Sequence, residues 1–134
     1  MGIEDRKAVV RAYVEAFNAG DFEAIRPLFT PDAEIYGVTG SGSFDVALPI
    51  WNALHDGLAM TLEIVAMAAE GDTVAVRFVE RGAWVGPFMG RTGHTGKTYE
   101  LTAMEWFQFE GDKVRRRWGA RDSATIARQV GMTL

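Results

Sequence analysis

The chain has 134 residues, which suits one folded domain and leaves little room for a second. It is 48% hydrophobic and 24% charged, as ordinary soluble domains are, and its formal charge of −4 argues against nucleic acid or an anionic membrane as the main partner. Cysteine is absent, which excludes disulfides, thiolate zinc sites and a cysteine nucleophile, and the two histidines, His55 and His94, are too few for a histidine-rich metal site.

The first predicted element is an amphipathic helix from Glu4 to Ala19, with Val9, Tyr13, Ala16 and Phe17 at helical spacing. Gly20 supplies its stop and Asp21 caps a second helix carrying Phe22, Ile25, Leu28 and Phe29, which ends near Thr30-Pro31. A short strand over Ala33–Tyr36, a Gly/Ser loop from Gly37 to Ser43 and a third helix within Phe44–Asp56, with Pro49 near its start, come next. The second half reads as two hairpins. Thr61–Glu70 and Thr73–Val85 flank Gly71-Asp72, and Thr98–Glu110 and Lys113–Arg121 flank Gly111-Asp112, each turn with the same Glu-Gly-Asp signature. The glycine-rich loop Gly86–Lys97 between the hairpins is long enough for a lid and equally ordinary as a connector. Asp122–Val130 closes the chain as a short helix. No window approaches the roughly 18 apolar residues of a membrane span. The charged N-terminus runs directly into helical pattern rather than a signal peptide, so the cytoplasm is the expected location. Helices first and antiparallel strands later imply an α+β fold: a curved sheet, closed into a cone, covered by three N-terminal helices around one apolar pocket.

Counting pairs outward from Gly111-Asp112 sets Phe107 against Arg116, Glu105 against Trp118, Ala103 against Ala120 and Leu101 against Asp122, all on one face. That face is mainly apolar and is expected to look inward, yet it carries Glu105, Arg116 and Asp122. Carboxyls on an apolar wall are costly unless paired or functional. The other face, with Met104, Trp106 and Gln108 beside Arg115, Arg117 and Arg121, is read as solvated or interfacial, Trp106 lying near Arg117 as a cation–π pair. Each candidate also has a plain structural reading. Asp122 serves equally as the N-cap of the last helix, and Glu105 as an ion-pair partner of Arg116. Tyr13 lies on a core stripe, His55 packs one helical turn from Trp51, and His94 sits in the glycine-rich loop.

The stretch VRAYVEAFNAGDFEAIRPLF (Val10–Phe29), followed by Pro31-Asp32-Ala33-Glu34, resembles the opening of the nuclear transport factor 2-like superfamily. Trp51–His55, GDTVAVRF, and FEGDKVRRRW with Asp122 resemble the SnoaL-like polyketide cyclases, also called ester cyclases. That resemblance implies an intramolecular aldol ring closure without metal or organic cofactor, in which an aspartate at the end of the last strand, Asp122 here, is the general acid/base. The first-strand histidine of those cyclases is replaced by Tyr36. The opening also resembles the ketosteroid isomerases, whose oxyanion hole of tyrosine and protonated acid corresponds to Tyr13 and Glu105. Their base aspartate falls on Gly37, which has no side chain.

The resemblance thus implies a cofactor-free cyclase or isomerase acting on a small apolar carbonyl compound. Asp122 would move the proton, and Tyr13, Tyr36 or Glu105 would donate to the enolate oxygen. Trp51, Phe107 and Trp118 would line the cavity against a planar, polycyclic substrate, with His55 and Arg116 as polar contacts. The alternatives are another enzyme of the fold, of ketosteroid isomerase or epoxide hydrolase type, and a non-catalytic ligand-binding or dimeric module. A homodimer through the outer Trp106/arginine face is expected.

Overall fold

The computed structural model describes residues 2–133. Helix α1 (Ile3–Asn18) buries Val10, Tyr13, Val14 and Phe17, the 3–4 spacing of a single stripe. Beyond it, Gly20 takes a left-handed φ of +72° that a side chain would oppose. The predicted second helix is instead two single 3₁₀ turns, Phe22–Ala24 and Arg26–Leu28, with Pro27 in the second. Proline has no N–H for a continuing helical bond, so the segment breaks after one turn. Strand β1 (Phe29–Gly37), the short β2 (Gly40–Gly42) and helix α2 (Phe44–Leu58) complete the first half; α2 extends two residues past its expected end and holds Pro49 inside. The second half is β3 (Thr61–Glu70), β4 (Thr73–Ala83), β5 (Thr98–Glu110), β6 (Lys113–Arg121) and α3 (Ser123–Val130).

All six strands form one curved sheet in the order β2-β1-β6-β5-β4-β3. It is open, with β2 and β3 at its edges, rather than closed as a barrel. Every neighbouring pair is antiparallel except β1 and β6, which run parallel. The inner face packs Val74, Val76, Phe78, Phe107 and Phe109 against α1 and α2 in one continuous core. Two side chains of α1 fasten that layer. Asn18 exchanges two 2.8 Å hydrogen bonds with the backbone of Leu62, standing in for a missing strand partner. Arg6 donates to the carbonyls of Gly71 and Gly111, drawing both hairpin turns under one guanidinium. No helix among the described residues is long and apolar enough to cross a membrane.

The decisive departure from the expected register lies next to the second hairpin turn. Glu110 pairs with Lys113 and Phe109 with Val114, as counted, but Gln108 pairs with Arg116, leaving Arg115 as an extra residue. Arg115 lies within reach of Asp32, Glu34 and Glu110, at 3.4, 3.7 and 3.8 Å. A one-residue bulge inverts every later side chain. Phe107 therefore pairs with Arg117, Glu105 with Gly119 and Ala103 with Arg121.

Candidate active site

Because of that bulge, Arg117, Gly119 and Arg121 face inward while Arg116, Trp118 and Ala120 face outward, the reverse of the expected assignment. Glu105 meets Arg117 rather than Arg116, with Oε1 3.8 Å from Nε, and the two side chains are only 9% and 7% exposed. Tyr13 of α1 lies against both, its ring centroid 6.1 Å from that of Trp51 and 5.4 Å from that of Phe107. Arg117 lies 5.9 Å from the Trp51 ring centre, not beside Trp106.

These groups share one cavity of about 60 Å³ with Trp51, Ile50, Leu54 and Ala103. Its exposed lining residues, Val38 and Ala120, mark a mouth at the ends of β1 and β6. No residue of the glycine-rich loop lines it. That loop packs elsewhere: Phe88 sits on Gly57, and Thr95 donates to the Val130 carbonyl. Gly37, which has no side chain to offer, does line the cavity.

Beyond Ala103 lies a second buried charge pair. Glu80 of β4 is 0% exposed; it accepts from Tyr99 at 2.7 Å and from both the Nε, at 3.0 Å, and the Nη2 of Arg121. Two glycines create room for these side chains. A Cβ on Gly119 would strike the Arg117 guanidinium, and one on Gly82 would lie 2.7 Å from the Tyr99 ring.

The two pairs differ in how fully they are satisfied. Both Glu80 oxygens accept hydrogen bonds. Glu105 Oε1 and Arg117 Nε are buried and hydrogen-bond to nothing among the described residues. Orphaned buried polar atoms are rare and costly. Burial raises the Glu105 pKa, and Arg117 and Tyr13 only partly offset it. Burial, reinforced by the Glu105 charge, lifts the Tyr13 phenol well above its usual value, so it stays a neutral donor. Burial pulls Arg117 down, but Glu105 and Tyr13 outweigh it, leaving its pKa raised and the group cationic.

The remaining predicted residues fall outside this cluster. Asp122 is exposed and not on the inner wall. Its carboxylate accepts from the Thr125 side chain and, at 3.0 Å, from the Thr125 N–H, which holds its pKa below the ordinary range and caps α3. Tyr36 is on the outer face, donating to Glu34 and stacked on Trp118 at 5.5 Å and 10°. Arg116 binds Glu34 there at 2.7 Å. Trp118 is 39% exposed rather than a wall of the cavity. Phe107 is buried behind Tyr13, and His55 packs edge-on to Phe22 at 5.8 Å; neither lines the cavity. His94 is exposed in its loop, as expected. Of the predicted catalytic groups, then, the structure brings Tyr13 and Glu105 together and leaves Asp122 and Tyr36 apart.

Residues 10–117 match the SnoaL-like domain family, and the protein belongs to that family. No protein of curated function matches the sequence. Among solved structures, AclR of Streptomyces galilaeus, proposed as a hydroxylase, aligns with TM-score 0.87 and 24% identity over 99% of this chain and 100% of that one. IdmH of Streptomyces antibioticus, proposed as a polyketide cyclase, aligns with TM-score 0.83 and 28% identity over 94% and 98%. An NTF2-like protein of unknown function from Burkholderia pseudomallei aligns with TM-score 0.80 and 18% identity over 97% and 98%. The NTF2-like fold is common to all of them, while the activities proposed for the first two differ.

Proposed function

We propose that this protein is a cofactor-independent acid/base enzyme that enolises a small carbonyl compound, with Glu105 rather than Asp122 moving the proton. The observation that carries this reading is the Glu105 carboxyl, buried at the cavity wall with Oε1 unpartnered beside the Tyr13 phenol. In the step, the C–H bond next to the carbonyl breaks, its proton passes to Glu105 and its electron pair moves onto the carbonyl oxygen. A base works best with a pKa near the working pH, and burial moves Glu105 that way. Tyr13 donates to the developing oxyanion from a fixed position, and the Arg117 charge stabilises it where little water competes. Attack of that enolate on a second carbonyl of the same molecule, with the proton returned by Glu105, is the ring closure associated with SnoaL-like cyclases.

The cavity volume bounds what can react. About 60 Å³ holds roughly four water-sized groups at about 15 Å³ each, far below the roughly 300–1,000 Å³ of pockets that enclose whole drug-sized ligands. A carbonyl head enters; a polycyclic body remains at the mouth.

The test is hydrogen exchange at the α-carbon of 4-phenyl-2-butanone in D₂O, followed by proton NMR. The wild type is expected to accelerate exchange and Glu105→Gln to lose about 10²–10⁴-fold, the usual contribution of a positioned acid/base. Exchange retained in Glu105→Gln would overturn the assignment.

Assembly is a second part of the proposal. Trp106, directly opposite Trp118, and Met104 expose an apolar trough of about 470 Å³ on the outer sheet face. Patches of this kind mark contact surfaces, and pairing with a second copy would cover it.

A further inference from the structure

The two orphaned atoms belong to residues of the cavity wall, and those residues constrain the ligand further. Arg117 Nε has a proton and no acceptor, and Glu105 Oε1 has no donor, with 3.8 Å between them. Tyr13 adds a phenol from the opposite layer. A ligand atom here meets one permanent cationic donor, one neutral donor and a carboxyl that donates only when protonated.

The groups facing Glu105 are Tyr13 from α1, Glu80 from β4, and Arg117 and Arg121 from β6. With Glu105 ionised, the two arginines and two glutamates cancel. With Glu105 protonated, the lining carries one net positive charge and three donors converge at one place. A buried cation without a counter-charge is expensive, so this state favours an anion with two acceptor oxygens.

We propose that the cavity binds the head group of a small organic acid as its anion, seated against the Arg117 guanidinium, the Tyr13 phenol and the Glu105 carboxyl that line it, with one proton taken up by Glu105. The proposal uses the same cavity and residues as the enolisation reading, and adds that the ligand class includes carboxylates and acidic enols with an apolar tail. The volume admits a carboxylate and its neighbouring carbon, while the tail lies at the mouth beside Val38. The raised pKa of Glu105 agrees with a site that gives up its proton reluctantly.

The experiment is isothermal titration calorimetry with 3-phenylpropionate and its neutral isostere 3-phenylpropionamide, from pH 5 to 9, in two buffers of different ionisation enthalpy. The carboxylate is expected to bind at least about tenfold tighter than the amide at pH 5–6, where 1.4 kcal/mol corresponds to tenfold. Its affinity should fall by up to about tenfold per pH unit once pH passes the Glu105 pKa, with uptake approaching one proton, the linkage expected when binding requires the protonated form. Glu105→Gln, which always donates, should bind with no proton uptake and a flat pH profile. Equal affinity for acid and amide, a pH-independent wild-type affinity, or no carboxylate binding would each overturn the proposal. Ketone exchange separates the two readings. Exchange without proton-linked carboxylate binding removes only this inference, and binding without exchange removes only the enolisation.

Discussion

Substituting Glu80 tests whether the inner face holds two charge pairs with different duties. Glu80→Met removes a fully buried carboxylate and leaves Arg121 and the Tyr99 hydroxyl without their acceptor. Breaking a buried ion pair from one side costs about 3–5 kcal/mol, because the surviving charge is stranded in a poor solvent. An unfolding entropy of about 2.1 cal/mol/K per residue gives about 280 cal/mol/K for 134 residues, so the expected loss is about 11–18 °C in Tm. That is a large share of the roughly 5–15 kcal/mol that holds a typical domain together. Replacing the whole cluster, as Glu80→Met, Tyr99→Phe and Arg121→Met together, leaves nothing polar behind and should return to within about 2 kcal/mol of wild type. Thermal and urea unfolding followed by circular dichroism measures both. A single variant within about 1 kcal/mol of wild type, or a triple variant as unstable as the single, would refute the reading of Glu80 as the anchor of a buried pair.

Three further outcomes are expected. Asp122→Ala should cost about 1 kcal/mol, the usual value of a lost N-cap, and leave ketone exchange intact, as measured by thermal melts alongside the NMR assay. Glu105 has a folded pKa above its unfolded value, so the native state binds its proton more tightly; the stability it contributes is complete below the ordinary value of 4.5 and is lost as pH rises through the folded pKa. Urea melts from pH 4.5 to 8 should therefore show wild type losing stability with rising pH relative to Glu105→Gln, and parallel curves would contradict the raised pKa. Trp106→Glu places a charge in the exposed outer trough and should weaken self-association at least about tenfold in sedimentation velocity, since an unpaired charge at a packed contact costs more than 1.4 kcal/mol.

Much of the architecture was legible in the residues themselves. The stripe of Tyr13 and Phe17 on α1 needs only helical periodicity, and Gly71 and Gly111 take the left-handed φ values, +58° and +62°, that the repeated Glu-Gly-Asp turns require. Glu80 is legible on the same ground. It is in phase with Val74, Val76 and Phe78, so alternation alone places it on the buried face. The parallel contact of β1 with β6 was not legible, because it joins residues far apart in sequence and no local pattern encodes it.

The bulge at Arg115 is the harder case, and it decides the site. Three consecutive arginines present the same residue type to both faces, so their hydropathy gives no phase. Only the residues beyond them reveal it, and there the signal is misleading: Trp118 is the apolar residue that belongs inside by composition, yet it lies outside, stacked on Tyr36, while Gly119 takes the inner position. The reason is volume. The space over Gly119 is occupied by the Arg117 guanidinium, which a Cβ would displace. Had β6 kept the uninterrupted register, Trp118 would face inward opposite Glu105, and Arg117 would lose its buried partner. A single extra residue thus keeps Trp118 out of the hollow and sets a cation beside a buried acid there, which is the arrangement that the proposed acid/base chemistry at Glu105 requires.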